Sequence, residues 1–180
     1  AKYLFHTLSE NGLHDVAWQV ATQTTPPSYG AWVAQGATTL WEHWDGHSSL
    51  NHIMFGDIST WFYQKLAGIR PDPAQPGFKN IILRPQPVGN LTSAKAVHES
   101  MYGKIASSWR LEKGRFTWEV AIPPNTTATV HFPAGKISNI TESGRPIGKA
   151  VGLKILPSDE GTVVLQAKSG RYRFVLKARG

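Results

Sequence analysis

Cysteine is absent from the sequence, and its absence excludes several kinds of chemistry. A chain without thiols has no disulfide framework, no thiolate metal site and no cysteine nucleophile. Apolar runs of the roughly 20 residues that a membrane span needs are also missing, so no membrane partner is expected. The first residues lack the charged start and apolar middle of a signal peptide. These properties leave the compartment undetermined between the cytoplasm, the periplasm and the exterior of the cell.

Catalytic motifs with a fixed spacing are missing as well. The sequence contains no G-x-S-x-G, the motif of one large group of serine hydrolases. The stretch GKAVGLK (148–154) lacks the glycine spacing of a phosphate-binding loop. His43, Asp45, His47 and His52 lie near one another, but they do not match a metal-binding pattern such as H-E-x-x-H. No metal site is therefore predicted.

Charge and tryptophan are unevenly distributed along the 180 residues. Residues 1–77 carry 3 Lys/Arg against 6 Asp/Glu, whereas residues 78–180 carry 16 against 6. Five of the seven tryptophans lie in the first part, and the proline-rich stretch RPDPAQPG (70–77) separates the two. We therefore predict two domains of different construction, residues 1–77 and 78–180.

The first part has the periodicity of helices. Helices are predicted over residues 2–9, 12–23 and 51–69, and the second of these carries Leu13, Val16, Ala17 and Val20 on one face. The stretch TQTTPPSYG (22–30) is predicted to be a loop, because Pro26-Pro27 cannot continue a helix. Three helices are too few for a complete large helical domain. Since the chain also opens within a predicted helix and without methionine, we expect it to be the tail of a longer protein.

The second part has the period-two pattern of β-strands. Apolar and polar residues alternate on both sides of the turn EKGR (112–115), and shorter alternating runs follow between the turns PPNT, PAGK, ESGRP and SDEG. Regular short strands with turn signals predict an antiparallel β-sandwich, so the fold class of the chain is α+β. Trp109 and Trp118 fall on the inward-facing alternation.

The basic residues of the second part are spread over many strands. Such a distribution favours solvated outward faces. A nucleic-acid-binding surface would need the basic residues clustered with exposed aromatic rings, so no nucleic-acid partner is expected. A patch that attracts an acidic polysaccharide is an alternative that the sequence leaves open.

Glu42 is the first candidate for chemistry, because it lies between Trp41 and Trp44. Tryptophans are frequent neighbours of sugar rings in clefts, and a carboxylate among them suits acid–base catalysis. The same pattern fits a structural glutamate beside core tryptophans, and aromatic residues are more often core. His52, at the start of the third predicted helix, is either a cap or surface group or a ligand. The residues alone leave these alternatives open.

Three stretches together resemble the C-terminal end of bacterial-type α-L-rhamnosidases, the inverting glycoside hydrolases of family 78. They are SYGAWVAQGATTLWEHWDG (28–46), SLNHIMFGDISTWFYQKLAGI (49–69) and ILRPQP (82–87). The resemblance implies that residues 1–69 are the closing helices of an (α/α)6 barrel. It also implies that residues 78–180 are the β-sandwich that follows the barrel.

The resemblance implies roles for individual residues. Glu42, the glutamate of the TTLWE motif, would be the general base, and His52 would bind the sugar in the −1 subsite. Trp41 and Trp44 would support the site or form its wall. The family usually has arginine where this sequence has His43, which leaves that position without an assigned role. The general acid of the family lies upstream of TTLWE, outside this chain.

The expected function follows from these roles. The parent protein would remove terminal α-L-rhamnose from a glycoside or polysaccharide, with inversion and without a cofactor. The upstream part of the same polypeptide would complete the barrel, and the chain alone would be inactive. Two alternatives stay open. One is a carbohydrate-binding or scaffold module without catalytic activity, and the other is a different (α/α)6 glycosidase or a polysaccharide lyase.

Overall fold

The computed structural model describes residues 2–133 and 135–177. The chain divides into two compact units. The first contains residues 1–62 and 88–90, and the second contains residues 63–87 and 91–180. This division falls earlier along the chain than the predicted boundary after Gly77, and the domain assignment itself stays a prediction.

The first unit is helical. The helices in the described residues are α1 (Leu4–Glu10), α2 (His14–Thr22), α3 (Tyr29–Ala34) and α4 (Ile53–Trp61), and a π-helical turn (Phe62–Leu66) follows α4. The helices predicted over residues 2–9, 12–23 and 51–69 correspond to α1, α2 and α4 with the π-helical turn. Among the helices that the structure describes, none has the length and apolar character needed to cross a membrane.

Helix α3 begins inside a stretch that the sequence predicted to be a loop. Its N-cap is Ser28, whose hydroxyl accepts a hydrogen bond of 3.0 Å from the backbone N–H of Ala31. This bond satisfies one of the donors that a helix start leaves without a partner. Because Pro26-Pro27 precedes the cap, the prolines end the preceding segment without preventing the helix.

The apolar face of α2 is only partly buried. Ala17 is fully buried, as the predicted face requires, whereas the side chains of Leu13, Val16 and Val20 are 49%, 40% and 37% exposed. The predicted amphipathic pattern is therefore present, but the described residues do not cover this face.

The second unit contains the β-strands. Those of the described residues are β1 (Ile69–Pro71), β2 (Asn80–Leu83), β3 (Ser93–Ser100), β4 (Gly103–Glu112), β5 (Arg115–His131), β6 (Ile140–Glu142), β7 (Arg145–Pro146), β8 (Leu153–Leu156) and β9 (Val164–Lys177). Short 3₁₀ turns precede β6 and β8. The strands pair in the order β1-β2-β5-β9-β6-β7. In addition, β4 pairs with β5, β3 pairs with β4, and β8 pairs with β9.

Two long strands connect the layers of this unit. The first half of β5 pairs with β4 and with the end of β9, and its second half pairs with β2 and with the start of β9. The register between β5 and β9 shifts between Ile122 and Thr127, where the strands can bend. The hydrogen-bonded sheet thus folds over a single core. The strand pairs are antiparallel, as predicted, except that β2 and β5 run parallel.

The core follows the alternation along the strands. Trp118 is fully buried, and its ring lies 5.6 Å from that of Phe132 and 5.9 Å from that of Phe174. Trp109 is buried as well, so the inward direction predicted for both tryptophans is confirmed. Aromatic side chains bury large apolar surfaces, and these rings therefore supply much of the stabilisation of the sandwich.

Ser107 satisfies the polar group that Trp118 brings into this core. The indole N–H of Trp118 donates to the Ser107 hydroxyl (2.9 Å), which in turn donates to the carbonyl oxygen of Ala67 (2.6 Å). Ser107 itself is fully buried. A polar atom at this depth is tolerated because both partners are present.

Replacement of Ser107 by alanine should lower the free energy of unfolding by about 1–3 kcal/mol, because the Trp118 N–H and the Ala67 carbonyl would lose their partner. Chemical denaturation measures this difference. Ser108→Ala is the matched control, since Ser108 points to the opposite, outward face of β4. It should change stability by less than about 0.5 kcal/mol. Equal losses in the two variants would contradict the role of Ser107.

His131 at the end of β5 is half-buried. Burial lowers the pKa of its imidazole below the usual range, and the positive charges of Arg84 and Arg70 lower it further. The unfolded chain therefore binds a proton at a higher pH than the folded chain does. The contribution of His131 to stability is therefore fully present above 6.5, the pKa of the imidazole in the unfolded chain. This contribution is lost as the pH falls through the lower pKa of the folded state.

The free energy of unfolding should consequently decrease less on acidification in His131→Gln than in the unchanged protein. Denaturation between about pH 7 and about pH 5 measures the two slopes. His47→Gln is the control, because His47 is exposed. A His131→Gln variant that loses as much stability as the unchanged protein would show that His131 does not contribute to the pH dependence.

Candidate active site

The segment between α3 and α4 carries the candidate residues in irregular structure. Its two arms are joined by backbone hydrogen bonds from Glu42 N–H to the Ser49 carbonyl and from His52 N–H to the Leu40 carbonyl, both 2.8 Å long. The hydroxyl of Thr39 also donates to the Leu50 carbonyl. These bonds bring Glu42 and His52, ten residues apart in sequence, to the same place.

The Glu42 carboxylate has one oxygen fixed and one oxygen facing imidazoles. Oε2 accepts a hydrogen bond of 3.3 Å from the backbone N–H of Ser49. Oε1 lies 3.9 Å from His43 Nε2 and 4.0 Å from His52 Nε2. The side chain of Glu42 is 31% exposed, so solvent reaches the carboxylate. A carboxylate held in this way can accept a proton from a water molecule beside Oε1.

His52 occupies the N-cap position of α4. Its Nδ1 accepts a hydrogen bond of 3.1 Å from the backbone N–H of Met54. A neutral imidazole that accepts at Nδ1 carries its proton on Nε2. The ring therefore presents an N–H donor on the side of the Glu42 carboxylate. The cap and the ligand interpretations of His52 are thus compatible, because they use different ring nitrogens.

Trp41 and Trp44 belong to an aromatic cluster and are both half-buried. The Trp44 ring lies 4.4 Å from the ring of Phe55 and 4.5 Å from that of Trp32. The Trp41 ring lies 5.5 Å from that of Trp32 and against the backbone of Gly46, where a Cβ would come within 2.9 Å of it. The two side chains are therefore packed on one side and exposed on the other.

Tyr29 and Trp32 of α3 also hold this cluster, and the sequence did not identify them. The indole N–H of Trp32 donates to the Trp44 carbonyl (3.0 Å), and the Tyr29 hydroxyl donates to the Phe55 carbonyl (3.1 Å). Burial raises the pKa of the Tyr29 phenol far above its usual range, and the charge of Asp57 adds to the shift. Tyr29 is thus a neutral hydrogen-bond donor. The cap signal of Ser28 could have identified the helix that carries both residues.

Asp45 and Asp57, the other acidic candidates, accept hydrogen bonds from backbone N–H groups. Asp45 accepts a hydrogen bond of 3.0 Å from the His47 N–H, within its own turn. Asp57 accepts from the Tyr3 N–H (2.9 Å) and lies 3.8 Å from His6 Nε2. Within residues 2–133 and 135–177, no three His, Asp or Glu side chains are arranged to hold a metal ion.

Two models of known protein families match the chain. The bacterial alpha-L-rhamnosidase 6 hairpin glycosidase domain matches residues 1–66, and the bacterial alpha-L-rhamnosidase C-terminal domain matches residues 68–145. The first match places the helical residues in the class of six-hairpin glycosidase domains. Both models describe domains of bacterial alpha-L-rhamnosidases and together they match most of the chain, so the resemblance in its sequence is confirmed.

Individual relatives show the same similarity. An α-L-rhamnosidase of Formosa agariphila is 33% identical over 97% of this chain and 20% of its own length. The crystal structure of Streptomyces avermitilis α-L-rhamnosidase complexed with L-rhamnose is 31% identical, with a TM-score of 0.84, over 97% of this chain and 17% of that one. The structure of the α-L-rhamnosidase from Dictyoglumus thermophilum is 35% identical, with a TM-score of 0.84. The match covers 97% of this chain and 20% of that one. The chain spans about a fifth of the length of the curated relatives it matches.

Replacing the N-cap should separate the two uses of His52. His52→Ala removes the acceptor for the Met54 N–H and should lower the free energy of unfolding by about 0.5–2 kcal/mol, whereas His52→Asn retains a capping oxygen and should lower it less. Chemical denaturation measures both. His43→Ala is a control at a side chain that is 62% exposed. Equal destabilisation by alanine and asparagine would contradict the cap.

Proposed function

We propose that the chain is the C-terminal part of an α-L-rhamnosidase that hydrolyses terminal non-reducing α-L-rhamnosides with inversion and without a cofactor. Glu42 is the general base in this proposal. The observation that carries it is the fixed carboxylate, with Oε2 on the Ser49 N–H and Oε1 facing two imidazoles. The Streptomyces avermitilis relative complexed with L-rhamnose supports the choice of sugar.

In the proposed reaction, Glu42 removes a proton from a water molecule as that water attacks the anomeric carbon. The glycosidic bond to the leaving oxygen breaks, and a general acid gives that oxygen a proton. An inverting glycosidase needs its two carboxyl groups roughly 6.5–9.5 Å apart, so that the water fits between base and sugar. Asp45 and Asp57 each accept a hydrogen bond from a backbone N–H. The resemblance to the family implies that the acid lies in the upstream part of the polypeptide.

The remaining candidate residues bind the sugar. The Nε2–H of His52 donates to a rhamnose hydroxyl next to the base. Trp41 and Trp44 offer their exposed sides as apolar walls for the sugar ring. The upstream helices would complete the barrel and cover the apolar face of α2, where Leu13, Val16 and Val20 are exposed. Because the acid and most of the barrel lie upstream, the chain alone should be inactive.

The experiment measures rhamnose release from an aryl α-L-rhamnoside by the polypeptide extended upstream to the complete barrel. Glu42→Gln should lower kcat by on the order of 10²–10⁴-fold, because an amide cannot accept the proton of the water. Asp45→Asn is the matched control, since it also changes a carboxylate to an amide and lies three residues away. It should retain activity, because the amide oxygen still accepts from the His47 N–H.

Each alternative has its own outcome. Activity that survives Glu42→Gln would return Glu42 to a structural role. Turnover of another glycoside, with none of rhamnosides, would keep a six-hairpin glycosidase and discard the rhamnose specificity. An extended protein that binds sugars but hydrolyses none would favour a carbohydrate-binding module.

A further inference from the structure

A long trough lies on the outward face of β3, β4, β5 and β9, entirely within the second unit. One depression of about 840 Å³ and a neighbouring one of about 430 Å³ form it. Both are lined by Lys95, Ser108, Glu119 and Arg173, so the two depressions adjoin along this row of residues. This surface is separate from the residues assigned to sugar hydrolysis.

Several short side chains lie on the floor of the trough. Ala106 and Ala121 pair across β4 and β5, and Thr117 lies further along β5. Together with Ser108 they provide hydroxyl and methyl groups. Long side chains stand on the same face of the same two strands, and they are Arg110, Glu112, Arg115 and Glu119.

The sides of the trough are strongly basic. The acidic residues that line it are Glu112 and Glu119. The basic residues are more numerous, and they are Lys95, Arg110, Lys113, Arg115, Arg171 and Arg173. Glu119 is paired with Arg173 at 3.4 Å. Lys95, Arg110 and Arg171 form no ion pair with the residues that the structure describes. The net positive charge is thus not neutralised within the trough.

The register of the strands sets the spacing of these cations. Lys95, on β3, lies in one cross-strand row with Ser108, Glu119 and Arg173. The next row on one side contains Arg171, which pairs with Ala121. The next row on the other side contains Arg110, which pairs with Thr117. Rows of one face are two residues apart, or about 7 Å, and the rows from Arg171 to Arg115 extend over roughly 20 Å.

From this arrangement we propose that the trough binds a linear polysaccharide whose sugars carry carboxylates, a polyuronate. Cations spread over rows about 7 Å apart suit a chain of moderate charge density better than a densely sulfated chain. Arginine donates two parallel hydrogen bonds to a carboxylate, and the floor hydroxyls suit the hydroxyl groups between the charges.

Other polyanionic partners fit the trough less well. Single-stranded nucleic acid binds through bases stacked on exposed aromatic rings, but Trp109 and Tyr172 beside the trough are buried on the inward face. A folded acidic protein would need an apolar centre to its interface, and the trough has polar and small residues there. These differences favour the polyuronate.

The experiment titrates the 180-residue chain with polygalacturonate and with neutral dextran, using calorimetry at about 0.15 M salt. We expect binding of polygalacturonate only. The variant pair Lys95→Ala with Arg110→Ala should lower the affinity about tenfold or more, because two charged hydrogen bonds are lost. Exposed side chains are removed, so the melting temperature should be unchanged.

A second double variant controls for net charge. Arg145→Ala with Lys154→Ala also removes one arginine and one lysine, from β7 and β8, where neither side chain lines the trough. It should change the affinity less than about twofold at this salt concentration. Equal losses in both double variants would overturn the proposal, because they would show attraction by net charge alone.

Three further outcomes would also overturn it. These are the absence of any binding to polygalacturonate, tighter binding to dextran sulfate, and tighter binding to single-stranded DNA. None of these measurements depends on hydrolysis of rhamnosides, so the result is independent of the proposed function.

Discussion

The burial of Trp32 is the constraint on which the arrangement around Glu42 depends. The loop from α3 to α4 has neither helix nor strand to fix it, and a loop without such support samples many conformations. Trp32 is 2% exposed, contacts the rings of Trp41, Trp44 and Phe55, and donates to the Trp44 carbonyl. The apolar contacts of Trp32 and its hydrogen bond to Trp44 hold the residues on both sides of Glu42, in addition to the hydrogen bonds within the loop.

A second constraint comes from the other end of the loop, where His52 begins α4. Its side chain and its backbone are both bound, since Nδ1 accepts from Met54 and the backbone N–H donates to Leu40. The imidazole therefore has little freedom to rotate. Glu42 thus faces a group that the start of a helix orients, and elements on both sides of the loop determine the geometry of the site.

Sequence periodicity predicted those elements in which buried and exposed residues recur at a regular spacing. The strands alternate because one face is buried, and Trp109 and Trp118 point inward accordingly. Helix α3 was missed because it has six residues, too few for a helical stripe, and because prolines precede it. The parallel pairing of β2 with β5 has no local signature, since it depends on a connection between distant residues. Local patterns therefore gave the faces of the strands but not all of their partners.

The candidate site was less accessible to residue-level prediction. The WEHW pattern identified Glu42, but only the family resemblance connected it with His52, because the hydrogen bonds that bring them together involve the backbone. Ser49 was not identified, since its contribution is an N–H that any residue but proline provides. Similarly, the basic residues of the sandwich had been expected on solvated faces, and only the strand register shows which of them line one trough.

The long strand β9 has a consequence for the order in which the sandwich forms. It pairs with β5 along both layers and also with β6 and β8. During synthesis the earlier strands emerge first, and the central strand β5 has one of its two edges open until residues 164–177 follow. The inward aromatic rings of β4 and β5 therefore remain accessible to water and to other chains until β9 has been synthesised. Contacts this distant in sequence also slow folding, so the unit closes late.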